Sequence, residues 1–381
     1  MIFDPEPKEF HGPKPRVMAE FDYLNRSSRP EAEQVRYVLE EWCRAYPASE
    51  KEELLSRLRS RNDVAHLSAV FELTLHELLR RGGNRITLHP EMQGTRGRPD
   101  FFVETLADSR YYLEASLCFE TTDDQSGRKR LAQVYDILDK SESPNFFIGI
   151  ESRGTPSTSL KATRLRQDLE RWLERLDPEQ VRDAWARGDT RSAEFSYSEA
   201  GVRLVFTAIA KRSARSGTRA IGVQSGEARW STIPKAISSR LSDKAGKYGR
   251  PEEPLIIALN AFGVSVDRDD VMNALFGTAG VAINRDTLVA REIRSSDGFW
   301  RGPAGVQNTR VSGVVWTSNL NAWNLADRTL EFVPNPWASL PASELDLPAT
   351  RWQLADDMFT IAPGPRVGQA IGLPAGWPGS R

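Results

Sequence analysis

The sequence is poor in the residues that carry the commonest covalent and metal chemistry. It has two cysteines, Cys43 and Cys118, in 381 residues. That excludes a disulfide framework and points to a reducing, cytoplasmic compartment. Only four histidines occur, and the positions of His66, His76 and His89 match no zinc spacing. Charge of one sign is not in excess: 51 Lys and Arg stand against 52 Asp and Glu. Attraction to a polyanion must therefore come from a local patch rather than from the whole chain. No apolar run approaches the roughly 18 residues of a membrane-spanning helix. The acidic opening MIFDPEPKEF lacks the apolar stretch of a signal peptide. Internal repeats, a P-loop, a dinucleotide fingerprint and a Ser/His/Asp arrangement in a recognisable context are also missing.

What is present fits a soluble globular chain, long enough for one large domain with extensions or for two domains. Three stretches are expected: an irregular arm and helices over 1–62, an α/β core over 63–285, and a Trp/Pro-rich extension over 286–381. Amphipathic spacing predicts helices in PEAEQVRYVLEEWCRAY, SEKEELLSRLRS and DVAHLSAVFELTLHELLRRGG. Ser49 with Glu52 reads as a capping box for the second, and Asp63 as the cap of the third. NFFIGIES and PLIIALNAF read as buried strands, and EFSYSEAGVRLVFTAIAKR as a hairpin turning at Glu199 to Gly201. Six of the ten tryptophans lie beyond residue 285. They predict a strand pair and a wrapping tail held by aromatic anchors, with base stacking on those rings as the alternative. The fold class expected is α/β, a mixed central sheet flanked by helices.

One stretch carries chemistry. RPDFFVETLADSRYYLEAS, residues 98–116, reads as two strands around a polar turn, with Asp100 opening the first and Glu114 inside the second. Alternation sets Glu114 and Ser116 on one strand face and Leu113, Ala115 and Leu117 on the other. A turn near Ala107 and Asp108 sets Asp100 roughly opposite Ala115, beside Glu114. Two carboxylates so placed repel unless a cation lies between them or one is protonated. Together with the backbone carbonyl of Ala115 they form a hard oxygen set suited to Mg²⁺ or Mn²⁺. Glu72 sits at the edge of the buried face of the preceding helix, from which it can reach the sheet. Glu77 falls on the other side and reads as solvated.

Helix with Glu72, then Pro99-Asp100 opening a strand, then Glu114-x-Ser116 in the next: this order resembles the PD-(D/E)XK nuclease superfamily, over residues 65–152. KAGKYG…PLIIALN and NPWA also resemble features of large bacterial members. The resemblance implies a restriction-endonuclease-like fold and Mg²⁺-dependent (or Mn²⁺-dependent) cleavage of nucleic acid, DNA ahead of RNA, in bacterial antiviral defence or DNA processing. It implies that Asp100, Glu114 and Ala115 hold the metal and that Glu72 assists. Ser116 stands where the superfamily has lysine. A serine can hydrogen-bond a water but supplies no charge, so a cation from elsewhere is expected, with Lys129 the candidate and Arg128 and Arg130 beside it. Arg96 and Arg98, in a Gly/Arg-rich stretch leading into Asp100, are candidates for phosphate contacts with Arg128 and Arg130. The alternative is a catalytically inactive module on the same fold that binds nucleic acid or a partner protein. A homodimer is compatible with either, and no membrane partner is expected.

Overall fold

Helices α1 (Glu20–Arg26), α2 (Pro30–Ala45), α3 (Lys51–Leu58) and α4 (Asp63–Arg81) precede the first strand. Helix α2 starts on Pro30, tolerated in a first turn, and buries Val35, Val38, Leu39 and Trp42 as its spacing predicts. Two caps differ from expectation. Glu50 stands at the N-cap of α3 without a side-chain bond, and Asn62 rather than Asp63 caps α4 by accepting from the Val64 amide. Helix α4 is buried from Ala69 to Leu79 on every side, because α2 and α3 cover one flank and the sheet the other. That overturns the solvated reading of Glu77, which is 1 % exposed and held by Arg80 and Arg81. The helix stops at Gly82 and Gly83, the latter at φ +79°.

The computed structural model describes residues 1–379 except 93–94, 96, 120–124, 139, 142, 155, 190, 212–220, 227–232, 264–265, 284–289, 343–344 and 356–357. Strands β1 (Arg85–Leu88), β2 (Phe101–Glu104) and β3 (Arg110–Phe119) form an antiparallel meander. The chain then enters a second unit, made of Pro13–Met18 and Thr121–Trp230. It holds α5 (Gln125–Leu138), β4 (Phe146–Arg153), α6 (Ala162–Glu174), α7 (Pro178–Ala186), β5 (Glu194–Glu199), β6 (Val202–Ala210) and β7 (Ile221–Gly226). Its sheet runs β5-β6-β4-β7 over its own core of Leu131, Ile148, Leu165, Leu169 and Phe206. The hairpin between β5 and β6 turns on Ala200 and Gly201, both at positive φ, the conformation that matches strand twist in a two-residue turn.

The first unit, Met1–Gly12, Ala19–Glu120 and Ser231–Arg381, resumes with α8 (Ile233–Ala245), β8 (Leu255–Phe262) and α9 (Arg268–Phe276). Two short hairpins follow, β9 (Ala279–Ile283) with β10 (Ala290–Arg294) and β11 (Arg301–Gly302) with β12 (Gly305–Val306). Last come β13 (Val311–Ser318), β14 (Leu330–Pro334), β15 (Ala349–Ala355), β16 (Met358–Ala362) and α10 (Val367–Ala370). The main sheet is mixed and eight-stranded, ordered β1-β2-β3-β8-β13-β14-β15-β16, with β3, β8 and β13 parallel.

Strand alternation builds a core on each face. Leu113, Leu117, Ile256, Ala258 and Val315 pack with α2 and α4 on one side. Cys118, Leu255, Ile257, Leu259, Val314 and Trp316 pack with α8 and α9 on the other. The observed division cuts across the three expected stretches. Residues 286–381 are not a wrapping tail: they supply β13 to β16, half of the main sheet. Trp300, Trp316, Trp352 and Trp377 are buried, so those rings present no face for base stacking. The stretch expected to follow β3 in the core, α5 and β4, belongs to the second unit. The partner of β3 is β8, and α8 is the helix that leads into it.

Candidate active site

The β2–β3 ladder ends at Phe101 opposite Leu113, so Asp100 comes abreast of Glu114, one residue away from the expected register. Just past the last pair the strands part. The Asp100 carboxylate fills the gap, its Oδ2 accepting from the Ala115 amide at 2.6 Å. In a strand, the N–H and C=O of one residue point to the same edge. The Tyr112 amide donates to Pro254 at the β8 edge, so the odd-numbered neighbours, Ala115 included, turn both groups toward Asp100.

Glu114 and Ser116 project toward α8, and both are 3 % exposed. The Lys244 Nζ lies on Glu114 Oε1. The Tyr248 hydroxyl donates to Glu114 Oε2 at 2.5 Å. Ser116 Oγ accepts from Arg240 Nε at 2.8 Å. Arg240, Lys244 and Tyr248 are spaced by four, so one rim of α8 and the turn after it deliver all three groups. The buried residues Ile237, Leu241 and Ala245 fix that rim against the sheet. The turn is held in place by Gly97. A Cβ there would come within 2.8 Å of the Lys247 carbonyl and 3.0 Å of the Tyr248 ring, so only glycine permits the approach.

Glu72 is buried on α4, against the opposite face of the sheet. Its Oε1 accepts from the Tyr46 hydroxyl at 2.8 Å and its Oε2 pairs with Arg57 Nη1 at 2.7 Å. Asp100, at the β2–β3 fork, senses both sides. Burial, then the charges of Glu114 and Glu72, hold its carboxyl well above the usual carboxylate range, against the opposing pull of Lys244 and the Ala115 amide. Burial and the adjacent Glu114 likewise push the Tyr248 phenol up, which keeps it a hydrogen-bond donor. Burial pushes the Cys118 thiol up to about 11, making it a packing residue rather than a nucleophile.

Among the described residues the cation on Glu114 is thus Lys244, which the sequence reading missed in favour of Lys129. The side chains of Arg128 and Lys129 lie outside the described residues, and their helix α5 belongs to the second unit. So does Arg130, whose guanidinium donates to the Pro156 carbonyl. Arg96 lies outside the described residues. Arg98 pairs with Glu91 at 2.7 Å. The available signal for Lys244 was its spacing from Arg240 and Tyr248 beside an apolar helical stripe. That spacing singles out no acid until β8 is paired with β3.

Asp100, Glu114 and the Ala115 carbonyl are hard oxygen donors. The raised carboxyl of Asp100 marks a place where a cation would relieve repulsion. Among the described residues no three His, Cys, Asp or Glu side chains gather as a metal-holding group. Two carboxylates are the side-chain oxygens an ion would find here, and an ion held by so few would have to retain several waters. Compared with known proteins, the chain matches no family model, no curated protein and no solved structure.

Proposed function

We propose that the first unit is a restriction-endonuclease-like module of the PD-(D/E)XK type that hydrolyses phosphodiester bonds in nucleic acid, DNA in particular, with Mg²⁺ or Mn²⁺. The observation that carries the reading is the meeting of Asp100 and Glu114 at the β2–β3 fork with a lysine supplied from α8. Asp100, Glu114 and the Ala115 carbonyl would hold the ion. When bound, such an ion polarises a phosphoryl oxygen and lowers the pKa of water.

Lys244 brings to Glu114 the positive charge that Ser116 cannot. A short cation at that position steadies charge building on the phosphoryl group and orients the attacking water. Tyr248 restrains Glu114 from the other oxygen, and Arg240 holds the Ser116 hydroxyl. The water oxygen forms a bond to phosphorus, the ester P–O bond breaks, and the departing oxygen takes up a proton. Glu72, tied to Arg57 and Tyr46, acts on Asp100 through charge and position. The test is cleavage of plasmid DNA and of RNA with Mg²⁺ or Mn²⁺, against EDTA and against Asp100→Asn. Metal-dependent products from the native chain alone support the reading.

One observation favours a second reading. Both oxygens of Glu114 already have protein donors, as in an inactive module stabilised by its own lysine. Nucleic-acid binding without cleavage under any divalent metal would select it.

A further inference from the structure

A cavity of about 870 Å³ opens beyond the N-terminal ends of β8 and β13, lined by Arg250, Arg310, Thr309, Ser339 and Glu252. It adjoins the carboxylate site through a single residue. The hydroxyl of Tyr248 bonds Glu114, while its backbone carbonyl accepts from Arg310 Nη1 at 3.0 Å and the next residue, Gly249, lines the cavity. Two guanidiniums outnumber one carboxylate, and the Thr309 hydroxyl adds a neutral donor, its oxygen accepting from Ser339 Oγ at 3.1 Å. Arg250 is exposed and, among the described residues, has no ion pair. Arginine forks match phosphate oxygens in geometry and charge.

We propose that this cavity is a subsite for a backbone phosphate of the same nucleic-acid strand whose neighbouring phosphodiester lies at Asp100 and Glu114. The inference rests on the nuclease reading and deepens it. Recognition at the subsite is electrostatic and independent of sequence, with Arg250 the main contact. Arg310 plays a double part, since it also braces the turn that carries Tyr248.

The experiment is binding of labelled duplex DNA in EDTA across a salt series, with cleavage in Mg²⁺ measured separately. Arg250→Ala should lower the slope of log affinity against log salt by about 0.9, the value for one lost phosphate contact on duplex. Arg250→Lys should restore it, and affinity for a mononucleotide should not change with either variant. An unchanged slope in Arg250→Ala, with native cleavage intact, overturns the subsite and leaves the nuclease standing. Arg250-dependent binding without cleavage keeps the subsite and removes the catalytic reading. Equal weakening of mononucleotide and duplex reassigns the cavity to a free phosphate ester and overturns the proposal, as does native protein that binds no nucleic acid.

Discussion

Two buried glutamates on the same sheet invite comparison. Glu331, on β14, is gripped by Arg268 through contacts of 3.0 to 3.1 Å and by the Trp352 indole at 2.8 Å. Glu114, on β3, is gripped by Lys244 and the Tyr248 hydroxyl. Each has one cation and one aromatic donor. The difference lies in the surroundings. The cation on Glu331 is a rigid bidentate fork, a geometry that suits a fixed structural tie. The cation on Glu114 is a single rotatable ammonium, and Asp100 beside it has its carboxyl held above the usual range by burial and by Glu114 and Glu72. A buried acid matched by its partners holds a fold together. A half-buried acid with a raised carboxyl and one backbone donor, next to a matched pair, is a departure that folding alone does not require, and such departures cluster at functional sites.

The largest expected effect breaks the comparison at its unmatched member. Asp100→Asn should reduce metal-dependent cleavage to background while leaving the metal-free fold equally or more stable, read by plasmid cleavage beside thermal unfolding. Next, Lys244→Met should lower cleavage by about 100-fold or more, the scale of removing a positioned charge-stabilising donor, and Arg268→Met should leave it unchanged. In stability the ranking reverses toward the structural site: Glu331→Gln should cost about 2 kcal/mol by leaving the Arg268 fork and the Trp352 indole poorly matched, measured by urea unfolding.

A smaller effect lies in pH. The carboxyl of Asp100 is raised in the folded chain above its unfolded value, so the native state holds that proton more tightly. Its contribution is complete below the ordinary aspartate pKa and is lost as pH rises through the raised value. Metal-free protein should therefore lose stability as pH climbs above the ordinary aspartate range. Asp100→Asn should flatten that slope, and so should Mg²⁺, which favours the charged form. A slope the same in native and Asn proteins would assign the pH dependence to another group.

Local pattern made much of this legible. Helices α2, α3 and α4, the hairpin from β2 to β3, the turn at Ala200 and Gly201, and the apolar strand of β8 follow from spacing and turn chemistry, whereas α1 falls where an irregular arm is expected. Asp100 and Glu114 stood out because acids inside aromatic and aliphatic strands need a partner. Three things were not legible, and two of them depend on contacts distant in sequence. Lys244 lies 130 residues beyond Glu114, with the second unit between them. Glu77 is on the face expected to meet solvent, yet it is buried and tied to Arg80 and Arg81. The tryptophans after residue 285 signalled packing, but not that their strands extend the same sheet, since pairing between β8 and β13 leaves no mark in either segment alone. Ser116 had the right address and the wrong neighbour: it bonds Arg240, so Ser116→Lys should crowd two cations and destabilise the fold rather than restore a motif.

The central claim is that Asp100, Glu114 and Lys244 form one metal-dependent hydrolytic centre. Its most direct measurement is cleavage of labelled duplex DNA in Mg²⁺ by the native chain, by Asp100→Asn and by Lys244→Met in parallel. The native chain should give product, Asp100→Asn none above background, and Lys244→Met far less than native. Cleavage equal in all three would contradict it, as would a native chain that binds the duplex and never cuts it.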